Sequence, residues 1–144
     1  MVPIRSVTVE ALGAWVIKCN PAKTDVGPML AAGRAKTSWC VADNYRSGLM
    51  VPGHPVLFWV SAHVRRGIWG AGRITAAPVR EDGTLHVATS ITMFDEPVTA
   101  GQLREVSGLE TMEVFRSPQQ ANPSWVTAQQ WAVLEPLLPT SDVT

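Results

Sequence analysis

The sequence predicts an α+β domain: a barrel-like sheet of five to six strands with about three flanking helices. Short, strongly apolar runs bounded by Gly, Pro and Asn recur along the chain and read as buried strands. Two segments, opening at Thr99 and at Thr127, carry the sequence signature of a helix start. Strand and helix signals do not alternate regularly, which argues against a parallel sheet of βαβ units. At 144 residues the chain has the size of one core, and 46% hydrophobic with 17% charged residues is an ordinary globular balance.

Residues 1–12 show no clear period and are expected to form a loose leader ahead of a domain spanning 13–138. Ala14-Trp15-Val16-Ile17-Lys18-Cys19, stopped by Asn20-Pro21, reads as a buried strand meeting a turn. Thr24-Asp25 offers a helix cap, Pro28 suits a first turn, and Gly33 closes the helix. Residues 38–42 form the next expected strand. Pro52-Gly53-His54-Pro55 is a turn, and the unbroken apolar run Val56-Leu57-Phe58-Trp59-Val60 predicts a strand covered on both faces. A polar loop, His63-Val64-Arg65-Arg66-Gly67, leads into a strand over 68–79, where Gly70 and Gly72 signal a bulge or close backbone approach. Glu81-Asp82-Gly83 then turns the chain into a strand over 85–94 that pairs back on its predecessor. Thr99 with Gln102, and Thr127 with Gln130, have capping-box spacing. Val98 with Leu103, and Val126 with Trp131, add hydrophobic staples. The last helix is expected to bury Trp131, Leu134 and Leu138, to break near Pro136 and Pro139, and to leave 139–144 as a tail.

Formal net charge is zero, yet residues 1–80 carry a net +7 and residues 81–144 a net −7. Such a chain either presents a basic face to a phosphate backbone or interleaves its halves so that the asymmetry averages away. Cys19 and Cys40 are the only cysteines, without CxxC spacing, and no signal segment opens the chain. A reducing, cytoplasmic setting with free thiols is expected. No run approaches the roughly 18–20 apolar residues of a membrane helix, so no membrane partner is expected.

The glycines of 67–72 match neither GxGxxG nor GxxxxGK[ST], and a β-bulge accounts for them better than a phosphate loop. His54, His63 and His86 lack ligand spacing, so neither a metal nor another cofactor is expected. Ser61, His63 and Asp43 can be assembled on paper into a triad, but Ser61 lacks the Gly-x-Ser-x-Gly setting, and no catalytic residue is assigned.

Six tryptophans against one tyrosine in so small a domain must line something as well as fill it. Trp131 sits on a helical stripe and reads as core. Trp39 and Trp59 differ because polar residues follow them: Asn44, Tyr45 and Arg46 after the first, Ser61 and His63 after the second. Indole faces beside a few short polar groups are what a planar base needs for stacking and edge recognition.

In order along the chain, five segments resemble those of the EVE domain family, PUA-like proteins related to the YTH readers of methylated adenine. They are Trp15-Val16-Ile17-Lys18-Cys19-Asn20-Pro21, Ser38-Trp39-Cys40-Val41, the run from Val51 to Ser61, the run from Gly67 to Ile74, and Phe115-Arg116-Ser117-Pro118-Gln119-Gln120-Ala121-Asn122 with the capped helix after it. The resemblance implies a PUA-like pseudo-barrel whose pocket accepts a modified base. By position it makes Trp39 and Trp59 the cage walls. Asn20, Ser61, Gln119 and Asn122 become the remaining pocket residues by position, and Arg65 and Arg66 the phosphate contacts; Cys19 next to Asn20, and Asn44 and Tyr45 after Trp39, complete the expected pocket, and Arg46 the expected phosphate contacts. Cys19-Asn20 stands where many relatives have Ser-Glu, His54 where they have Asp, and Val60 where some have His. The changes at 19, 20 and 60 alter the expected pocket polarity, so the identity of the base does not carry over; His54 is expected to affect only a turn. The expected function is a non-catalytic reader of a methylated cytosine or adenine type of base in DNA or RNA, acting with a separate effector protein. The alternative is a nucleoside-like small-molecule sensor or hydrolase using the same pocket.

Overall fold

The computed structural model describes residues 6–139; residues 1–5 of the expected leader and 140–144 of the expected tail lie outside them. The mostly apolar run 14–19 and the unbroken run 56–60 become adjacent strands at the centre of the molecule. β1 (Leu12–Cys19) and β3 (Pro55–Val60) pair in parallel, Trp15 beside Val56 and Lys18 beside Trp59. Their side chains alternate between two cores because successive residues of a strand point to opposite faces. Trp15 and Ile17 of β1, with Val56, Phe58 and Val60 of β3, enter one buried cluster. Ala14 and Val16, with Leu57 and Trp59, enter the other. Strands covered on both faces show apolar residues at successive positions, which is why neither run alternates; Lys18, near the end of β1, is the exception and lines a cleft.

β4 (Gly67–Glu81) and β5 (Thr84–Thr99) form a long antiparallel ribbon next to β3, turned by Asp82 and Gly83 at φ of 50° and 79°. Short β2 (Ser38–Cys40) lies beyond β5, and β6 (Ser124–Thr127) pairs with β1. The six-stranded order is β2-β5-β4-β3-β1-β6. Beyond the strands, the amide of Ala42 donates to the Asn122 carbonyl at 2.8 Å and draws the two edges of the sheet together at one end. Gly72 is required by packing: a Cβ there would lie 1.7 Å from the Ser90 carbonyl oxygen. The register also shifts between Ile68 and Gly70, the expected bulge.

Among the described residues four short α-helices flank the sheet, one more than expected: α1 (Gly27–Ala32), α2 (Ala100–Arg104), α3 (Glu113–Arg116) and α4 (Ala128–Leu134). Both capping boxes form as spaced, with Thr99 and Thr127 accepting from the amides of Gln102 and Gln130. At α1 the expected cap is displaced. Val26 holds that position without a side-chain bond, and the Asp25 carboxylate accepts from the Gly27 amide at 2.9 Å instead. Gly33 does close the helix, left-handed at φ 75°. The leader is not loose throughout, since Val7 is buried in the first core and its amide donates to the Tyr45 hydroxyl at 3.1 Å. No helix among the described residues is long and apolar enough to cross a membrane.

Candidate functional site

The ends of β1, β2 and β3, with α3 and the segment that follows it, surround a cleft of about 840 Å³. That lies within the ~300–1,000 Å³ typical of ligand sites. Trp39, Trp59 and Phe115 supply its aromatic surface. The two tryptophans do not face each other as a sandwich. Trp39 packs on Phe58, ring centroids 5.2 Å apart, in one core, whereas the next residue, Trp59, points into the other and meets Phe115 edge-on at 5.7 Å. Strand parity imposes that separation. Both indoles are nearly buried, 4% and 3% exposed, so Phe115, which is half-buried, is the more open aromatic. The Trp39 indole N–H is buried without a partner.

The polar groups are held by the same strand ends. Beyond β1, the Asn20 side-chain oxygen accepts from the Ala22 amide at 2.9 Å, fixing a turn. Ser61 ties the exit of β3 to β1, its amide and hydroxyl both donating to the Cys19 carbonyl at 2.9 and 3.2 Å. Asn122 is held at both ends of its amide, its oxygen accepting from the Lys18 amide at 2.8 Å and its nitrogen donating to the Lys18 carbonyl at 3.0 Å. Both bonds fix the orientation of the amide where it lines the cleft. Gln119 makes no side-chain bond among the described residues and remains available. The Cys19 thiol lies against the Thr24 carbonyl at 3.7 Å, and burial pushes its pKa up, against a smaller lowering by Lys36, so it is a neutral thiol.

Among the described residues, every charged side chain lining the cleft is a cation: Lys18, Lys23, Lys36, Arg66 and Arg104. Burial lowers the pKa of Lys18, with Glu113 opposing and Arg46 adding to the effect. Its ammonium is anchored to the carbonyls of Pro118, at 3.1 Å, and Gln120. Lys36 lies 4.4 Å over the centroid of Trp39, and the Arg104 guanidinium 4.5 Å over that of Phe115. None of the five forms an ion pair among the described residues.

Four expected site residues lie elsewhere. Arg46 is a correction: it is buried, with both terminal nitrogens on the Glu113 carboxylate at 2.7 Å and one also on the Pro123 carbonyl at 3.0 Å. Three of its five N–H donors are used in this way, and the buried side chain does not line the cleft, so it is not placed to meet a phosphate. Asn44 accepts from the Arg46 amide within its own turn, and the Tyr45 hydroxyl accepts from the Val7 amide 38 positions away; neither residue lines the cleft. Arg65 pairs with Glu96 at 2.6 Å on the surface, while its neighbour Arg66 reaches the cleft. Val60, counted as a pocket change, is wholly buried in the first core. Lys18, Lys23, Lys36, Arg104 and Phe115 were missed. Phe115 stands inside a segment of the family resemblance, and four of the five cations belong to the basic half of the chain, so both signals were present. Among the described residues no group of three or more His, Cys, Asp or Glu is placed to hold a metal ion.

No protein-family model and no curated protein matches the sequence. Solved structures share the fold. A Pseudomonas syringae protein superposes with a TM-score of 0.66 at 20% identity, over 86% of this chain and 98% of that one. The DUF55 domain of human thymocyte nuclear protein 1 gives 0.61 at 16% identity, over 86% of this chain and 97% of that one. The chain thus has the mixed α+β, PUA-like fold of DUF55 domains. Human THYN1 protein in complex with 5-methylcytosine-containing DNA superposes with a TM-score of 0.60 at 16% identity, over 89% of this chain and 98% of that one.

Proposed function

We propose that the chain is an EVE-type, non-catalytic module that recognises a modified nucleobase of the methylated cytosine or adenine type in DNA or RNA. The observation that carries this reading is the cleft's lining: aromatic walls within a ring of five cations and no acid. A neutral free nucleoside gains little from such a ring, whereas a base still attached to its phosphates gains at every contact. The protein of similar fold that holds 5-methylcytosine DNA supports the same class of partner.

In this reading the base leaves its stack at a cost of a few kcal/mol. Contact with Trp39, or with Trp59 and Phe115, returns about 1–3 kcal/mol. The Asn20 amide nitrogen and Gln119 read the base edge, while Lys23, Arg66 and Arg104 take phosphates. One buried methyl contributes about 0.8 kcal/mol, which is roughly a fourfold preference where 1.4 kcal/mol is tenfold. The wild type should therefore bind a 5-methylcytosine or N6-methyladenine oligonucleotide at least about fourfold more tightly than its unmodified twin. Phe115→Leu and Trp39→Leu, checked for cooperative melting, should weaken binding of the preferred oligonucleotide. Fluorescence anisotropy with paired oligonucleotides reads both, and equal affinity of the wild type for modified and unmodified strands would refute the reading.

A further inference from the structure

We infer that the loop of residues 61–66, between β3 and β4, is a preformed wedge for a nucleic-acid duplex, in which Val64 fills the gap left by the base that enters the cleft. The inference rests on the base-binding reading of that cleft. Val64 is 98% exposed, the barest large hydrophobic side chain among the described residues. It does not dangle. The Arg66 amide donates to the His63 carbonyl at 3.0 Å, and the Arg65 amide to the His63 ring at 2.9 Å. The Trp69 indole donates to the Arg65 carbonyl at 2.9 Å, and the Ala100 amide to the Arg66 carbonyl at 2.7 Å. The His63 ring sits edge-on to Trp69, centroids 4.7 Å apart. Ala62 is held at φ 50°, a left-handed conformation that a non-glycine residue keeps only where its surroundings impose it.

Chain on both sides of Val64 is thus pinned, and Val64 itself is presented to solvent. Its flanks are the cleft wall, since Ser61, Ala62 and Arg66 all line the cavity. A β-branched side chain has few rotamers to lose when it is inserted. Apolar side chains pushed between base steps are a general device for holding an unstacked duplex. Arg65 and Arg66 stand beside the tip to meet the flanking phosphates. Arg65 is released for that role by exchanging an exposed pair with Glu96, of a kind worth little in water. Only a duplex keeps a gap opposite an unpaired partner base when one base leaves, so the surface fits a duplex.

The test compares wild type and Val64→Ser on three probes: a duplex with one central methylated base, the same methylated strand alone, and the duplex with an abasic site opposite the methylated base. Val64→Ser should bind the duplex about tenfold more weakly and the single strand as the wild type does, with much of the loss restored by the abasic partner. A 2-aminopurine next to the target should brighten with the wild type and respond less with the variant. Equal duplex affinity of the two proteins, or equal losses on duplex and single strand, would overturn the wedge. A wild type that prefers the methylated single strand but ignores the duplex would overturn the wedge and leave the cleft reading standing. No preference on any probe would defeat both.

Discussion

Trp15 is wholly buried, yet its indole N–H is satisfied: it donates to Nδ1 of His54 at 3.0 Å. A ring nitrogen that accepts must be unprotonated, so the fold holds His54 neutral. Burial lowers its pKa from the ordinary 6.5 in the same direction. Below pH 6.5 the unfolded chain binds the proton first, so stability falls as pH drops through that value toward the folded pKa, and is fully present above it. Thermal melts from pH 7.5 to 5 should show this loss in the wild type. His54→Asn offers an oxygen near the same place and does not titrate there, so its melting point should fall less over that range. Parallel curves for the two proteins would show that His54 does not act in this way. The family resemblance marked His54 as a departure that altered only a turn, because a hydrogen bond to a residue 39 positions away leaves no local trace in a sequence.

The central elements were legible where burial is two-sided or where a cap is local. β1 shows as a mostly apolar run and β3 as an unbroken one, and both capping boxes depend only on residues three apart. α3 was not legible, because four residues carry no helical period. Cleft residues at strand ends, such as Ser61 and Asn20, were found because they directly follow recognisable strands. Arg46 is near Trp39 in sequence but not at the cleft in space. The segment after β2 carries it inward to Glu113, 67 positions on, where the pair joins that segment to α3 and, through Pro123, to the approach of β6. Removing one member of a buried pair leaves a buried charge unmatched, which costs about 3–5 kcal/mol. Arg46→Met should lose about that much in urea unfolding, and Arg46→Met with Glu113→Leu should regain a large part of it. A loss below about 1 kcal/mol for the single variant would show that water reaches the pair.

For the whole molecule, zero net charge conceals a local imbalance. Lys18, Lys23, Lys36 and Arg66 from the basic half of the sequence, with Arg104 from the acidic half, gather around one cleft that no acid lines. The asymmetry between the halves is therefore not averaged away at this site. The five cations are not equivalent, because Lys18 is anchored to backbone carbonyls and Lys36 and Arg104 lie over aromatic rings. Lys23 and Arg66 make no side-chain bond among the described residues, so two to four phosphate contacts are expected. Each contact made on a duplex contributes about −0.9 to the slope of log affinity against log salt. The slope should therefore be roughly −2 to −4, a loss of about 15- to 250-fold between 50 and 200 mM salt. Arg66→Gln should make the slope shallower by about 0.9 while leaving the ratio of modified to unmodified affinity unchanged, because a phosphate contact positions the strand without reading the base. A slope near zero, together with tight binding of a free methylated nucleoside, would mean that the cleft takes a small neutral ligand and that its cations serve the fold.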